Sequence, residues 1–200
     1  MDGNYIKELS KDSFSSVGLL HLNKISMKDC KIQKIDDNAF SKLKILTHIN
    51  LDRNNISKLP AKLFDGNERL QSIILSNNQI SSLVANQFPP LRALKKIDLS
   101  NSELRTINVK SFLNLGESLE TVNLHGNQLQ TVKEKTFTHL IGLKVINGLV
   151  IWAVIWCQKV TFVSLTSWRL CQCGVYWVSF SQWLGLPHCW LILTINFSLG

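Results

Sequence analysis

The sequence predicts a curved solenoid, with short parallel strands along one face and irregular or short helical turns along the other. Three observations predict it. A segment recurs at near-constant spacing through the first three quarters of the chain. Its apolar residues keep the same places in every copy. No copy has enough apolar surface to form a core alone, so the copies must stack.

The recurrence is plain in the residues. LTHINLDRNNISKL at 46–59 returns as LQSIILSNNQISSL at 70–83, LKKIDLSNSELRTI at 94–107 and LETVNLHGNQLQTV at 119–132. A looser copy, LNKISMKDCKIQKI, occupies 22–35. Copies starting at 22, 46, 70, 94, 119 and 143 are separated by 24, 24, 24, 25 and 24 residues. Chance does not hold that register.

Counting from each start, apolar residues stand at offsets 0, 3, 5, 10 and 13, and a phenylalanine follows at offset 18: Phe40, Phe64, Phe88, Phe112 and Phe137. The alternation across offsets 3, 4 and 5 has the period of a strand with its apolar side inward. Strands stacked about 4.8 Å apart form a parallel sheet along one face. Offset 8 is Asn54, Asn78 and Asn127, replaced by Cys30 and Ser102 in two copies. An inward amide there satisfies backbone groups that a buried turn leaves unpaired, so these asparagines read as structural. Cys30 reads as a small buried thiol. The phenylalanines read as a stacked apolar column on the outer side.

This pattern resembles the leucine-rich-repeat family. The 24-residue spacing with Phe at offset 18 resembles the subclass found in extracellular receptors and adhesion proteins, such as Toll-like, Slit-like and chaoptin-like proteins. The resemblance covers residues 1 to 146 and implies an α/β-type leucine-rich-repeat solenoid, right-handed and curved. It implies a recognition module, receptor-like or adhesion-like, that binds another protein through its concave sheet face. The alternative is an intracellular scaffold or adaptor on the same repeat. The expected location is extracellular or at the cell surface, with cytoplasmic as the alternative.

Both ends break the pattern. Asn4, Ile6, Leu9 and Phe14 fit offsets 8, 10, 13 and 18 of a partial copy over 1–21, which puts Met1 at offset 5. Met1, Asp2, Gly3 and Asn4 form neither a basic start nor an apolar stretch, so no secretory signal stands here and an upstream part is expected. A sixth copy opens at Leu143 and is broken at Gly148. Residues 147–200 hold all six tryptophans, four of the five cysteines and no acidic residue. Three explanations compete for this tail: a membrane segment, a cysteine-rich cap around Trp168, Cys171 and Cys173, or a non-coding or frame-shifted extension of a gene reading.

The formal charge is +8, and all but Lys159 and Arg169 of the 22 basic residues lie in the repeats among the 14 acidic ones. No basic stripe interleaved with aromatics appears, so no nucleic acid is expected. The histidines are scattered, and no His, Cys or Asp set has metal-ligand spacing. There is no phosphate-binding loop, dinucleotide fingerprint or nucleophile elbow. Neither an enzyme nor a cofactor is expected. Asn55-Ile56-Ser57 and Asn196-Phe197-Ser198 would permit glycosylation in a secreted protein, though chance alone yields about two such triplets in a chain this rich in asparagine.

Offsets 2, 4, 6 and 7 should point outward from the sheet. The partner-binding candidates among them are Lys24, Lys28, His48, Asn50, Asp52, Arg53, Ile74, Lys96, Asp98, Asn123 and His125. The set is wet and mixed in charge, with Ile74 the one apolar residue near its centre, and it suits a polar protein surface.

Overall fold

The computed structural model describes residues 1–133 and 135–148, together with the backbone of two short strands further on. The expectations for Trp152 to Trp190, the tail cysteines, His188, the Asn196 triplet and membrane attachment lie outside the described residues.

One strand per copy forms the predicted sheet. These are β2 (Lys24–Ser26), β4 (His48–Asn50), β5 (Ser72–Ile74), β7 (Lys96–Asp98), β9 (Thr121–Asn123) and β10 (Val145–Asn147). They lie side by side in the order β10-β9-β7-β5-β4-β2, all parallel, with equal offsets paired. The broken sixth copy therefore contributes a complete strand, with Ile146 still buried against the core.

On the return side, two-residue strands pair in twos: β1 (Glu8–Leu9) with β3 (Lys34–Ile35), and β6 (Ser82–Leu83) with β8 (Thr106–Ile107). The pairing skips the copy between β3 and β6. In the paired copies, offset 14 donates its N–H to the offset-13 carbonyl of the copy before, as Asp36 does to Leu9 and Asn108 to Leu83. The skipped copy carries Pro60 at offset 14, which has no N–H to give. Among the described residues the helical content is one 3-10 turn, Leu113–Leu115. Further on, β11 (Val175–Trp177) and β12 (Ile192–Thr194) form a separate antiparallel pair.

The core is the repeat pattern made solid. Every offset-3, 5, 10 and 13 side chain from Ile25 to Val132 is buried. Six phenylalanines, Phe14 included, run down its outer side with ring centroids 5.6 to 6.4 Å apart. That is the separation at which offset-stacked rings attract.

The asparagine ladder is continuous where asparagine is present. Asn54 Oδ1 accepts from the N–H groups of Cys30 and Ile32, both at 3.0 Å, while its Nδ2 donates to Met27 and Leu51 carbonyls at 2.8 and 2.9 Å. Asn78 repeats this with Ile56, Leu51 and Leu75, and Asn127 with Leu104, Leu99 and Leu124. Each amide thus ties its own turn to the turn before it. Cys30 keeps one of these bonds, donating from Sγ to the Met1 carbonyl at 3.0 Å. Ser102 is too short to reach, and its buried hydroxyl has no partner.

Candidate functional site

The sheet presents two outward rows. Offset 2 carries Lys24, His48, Ser72, Lys96 and Thr121, and offset 4 carries Ser26, Asn50, Ile74, Asp98 and Asn123. Their middle residue at offset 3 is buried in every strand, which holds both rows on a rigid base.

The two rows differ in what they are free to do. Three offset-4 side chains fold over their own turn. Asn50 Oδ1 accepts from Asp52 N–H at 3.0 Å, Asp98 Oδ1 from Ser100 N–H at 3.0 Å, and Asn123 Oδ1 from His125 N–H at 3.2 Å. This is the side-chain turn that Asn and Asp form two residues along. The sequence carried that signal at Asn50, Asp98 and Asn123, which it placed among the binding residues instead. Ile74 makes no such brace, and it stands in β5, one of the two central strands.

Offset 6 differs more from expectation. Asp52 was expected to face out, yet only 8% of it is exposed. Its Oδ1 accepts from Ser76 Oγ at 2.8 Å and Asn77 Nδ2 at 2.7 Å, and its Oδ2 lies 3.3 Å from Lys28 Nζ. Burial raises the Asp52 pKa, but the bonds from Asn77, Ser76 and Lys28 outweigh it, and the carboxyl lies below the usual aspartate range. Asp52 and Lys28 are thus joined across two copies. Ser76 and Ser100 are buried at the same offset. The chain turns inward there, so offset 6 is a lip of the core in the middle copies.

Offset 7 is a turn position of one conformation throughout. Gly3, Asp29, Arg53, Asn77, Asn101 and Gly126 all have φ between 51° and 72°. Glycine, asparagine and aspartate tolerate this left-handed geometry; arginine does not favour it. From Gly3 to Asn101 the N–H groups of this row donate to the offset-6 carbonyls of the next copy, as Arg53 does to Ser76 at 3.0 Å. The shared residue types at offset 7 carried this signal in the sequence.

Lys24, Lys96 and His125 remain exposed, and His48 is half-buried with Nδ1 2.9 Å from Thr47 Oγ1. At offset 1 beside this row, Glu120 bridges Lys95 at 2.8 Å and Lys144 at 2.6 Å. The bonds from Lys144 and Lys95 hold its carboxyl down to about 2. A cleft of about 530 Å³ lined by Arg105, Thr106, Gln128, Gln130 and Thr131 belongs to offsets 9 to 12, on the flank.

Sequence reading also missed the buried polar side chains at offset 17. Gln87 donates to the Leu59 and Pro60 carbonyls at 3.3 and 3.1 Å, and Ser111 donates to the Val84 carbonyl at 2.9 Å. Each sits beside the phenylalanine of its copy, where period-two and apolar signals do not look.

A stacked parallel sheet with one rigid, polar outward face defines a recognition module of the leucine-rich-repeat class. The chain belongs to the BspA type leucine rich repeat family, whose model matches in six copies over residues 7–144. Among solved structures, it is similar to the crystal structure of the TLR13-ssRNA13 complex, with a TM-score of 0.62 and 26% identity. That likeness covers 72% of this chain and 20% of the other, so the chain spans about a fifth of its length. No curated protein sequence matches the chain.

Proposed function

We propose that the chain is the recognition part of a receptor-like or adhesion-like surface protein, binding another protein noncovalently along its concave sheet. The observation that supports this most is the division of the outward face. The offset-4 row is largely bonded to its own turns, while in the offset-2 row the Lys24 and Lys96 amines make no hydrogen bond or ion pair among the described residues, and His48 and Lys96 lie in the strands on either side of the one that carries Ile74. One apolar contact amid cationic and polar groups suits a polar protein surface with acidic character. The whole of 1–146 serves as the repeat domain in this reading. Surface biotinylation of the full natural protein in its own cells tests it: labelling from outside is the expected result, and a protein labelled only after lysis contradicts it.

A second reading has one specific observation in its favour. The similar structure contains single-stranded RNA, so the sequence-based expectation of no nucleic acid is not sustained. The same cationic row would then meet phosphates, and binding would fall steeply with salt. Filter binding of a single-stranded RNA at two salt concentrations separates the readings. For the described residues, no helix is long and apolar enough to cross a membrane.

A further inference from the structure

Two adjacent asparagines, Asn54 and Asn55, have opposite surroundings. Asn54 is buried, with its amide turned into the core. Asn55 is half-buried at offset 9, and its backbone N–H donates to the Ile32 carbonyl at 2.8 Å. Among the described residues its side chain makes no hydrogen bond. The same offset in the other copies is Lys31, Gln79, Glu103 and Gln128, all exposed, so the column faces outward throughout.

Asn55 opens the triplet Asn55-Ile56-Ser57. Ile56 is fully buried and its N–H donates to Asn78 Oδ1 at 3.1 Å, which fixes the middle of the triplet. Ser57 is exposed, and its hydroxyl makes no hydrogen bond among the described residues. The fold therefore leaves free the two side chains that N-glycosylation uses. It also gives a glycan room on the flank, off both rows of the sheet. The buried asparagines of the ladder could not carry one.

We propose that Asn55 is an N-glycan acceptor. The inference rests on the surface-protein reading above, because the transfer takes place in the secretory pathway. The co-reactant is a lipid-pyrophosphate-linked oligosaccharide. Asn55 Nδ2 forms a bond to the anomeric carbon and gives up one proton, the bond from that carbon to the pyrophosphate oxygen breaks, and lipid pyrophosphate leaves. Transfer precedes folding; the outward position of Asn55 is what lets the modified chain fold afterwards.

The test expresses the full chain behind a supplied secretion leader in cultured mammalian cells, with Asn196→Gln to leave one triplet. Secreted protein is treated with peptide N-glycosidase. The expected result is one mobility step that disappears in Asn55→Gln and Ser57→Ala and persists in Ser57→Thr. Secreted protein unchanged by the enzyme, or a step that survives Asn55→Gln, overturns the proposal. Because the leader is supplied, that failure leaves the surface-protein reading standing. Labelling of the natural protein only after lysis overturns that reading independently.

Discussion

The side-chain amides of Asn54 and Asn78, one copy apart, donate to the same carbonyl, that of Leu51, at 2.9 and 3.0 Å. The shared acceptor is what makes the ladder continuous, because each rung closes its own turn and the one before it. Removing a rung leaves several buried backbone groups without partners, each costing about 1–3 kcal/mol. Asn54→Ala is expected to destabilise the repeats by about 3–5 kcal/mol in denaturant titration. Asn127→Ala, whose site is half-buried, is expected to cost less.

Ser102 is the gap in that ladder. An amide there would reach Leu75 and Leu99 carbonyls and the Ile80 N–H, by analogy with Asn78 and Asn127. Ser102→Asn is therefore expected to stabilise by about 1–2 kcal/mol. A lower denaturation midpoint would mean that the turn lacks room for the amide.

Arg53 holds φ at 56° in a row otherwise filled by Gly, Asn and Asp. Left-handed geometry costs a residue such as arginine about 1 kcal/mol. Its ion pair with Asp52 is long, at 3.7 Å, and exposed on the arginine side, so losing it costs little. Arg53→Gly is expected to raise thermal stability, whereas Arg53→Ala, which keeps the strained conformation, is not.

Glu120 titrates at about 2 instead of the ordinary glutamate range because Lys144 and Lys95 bond its carboxylate. Its folded pKa is depressed, so its stabilising contribution is present above the unfolded value and is lost as pH falls from about 4.3 toward 2. Carbon-13 NMR titration of the Glu120 carboxyl should give that low midpoint. Lys144→Met should move it back up, and high salt should do the same in part.

Most of the architecture was legible in the sequence because a 24-residue translation repeats every physical requirement. Leu, Ile and Phe at fixed offsets specify the strand, the core and the ring column, and Asn at offset 8 specifies the turn. The binding face was less legible. Asn50, Asp98 and Asn123 look like free polar residues until the turn two residues on is considered, and Asp52 lies at an offset whose burial depends on how sharply the chain bends. The return-side pairs were not read from the sequence at all, although Pro60, which lacks the N–H that Asp36 and Asn108 donate at the same offset, marks a copy that cannot pair with the one before it.

The most direct test of the binding face is a set of charge and apolar changes read against a panel of secreted and cell-surface protein domains. Ile74→Arg and Lys96→Glu change the central strands, while Lys62→Glu and Lys110→Glu change exposed return-side positions. A ligand of the unaltered protein is expected to be lost with the first pair and kept with the second. A ligand indifferent to Ile74→Arg and Lys96→Glu, but sensitive to the return-side pair, would contradict that expectation.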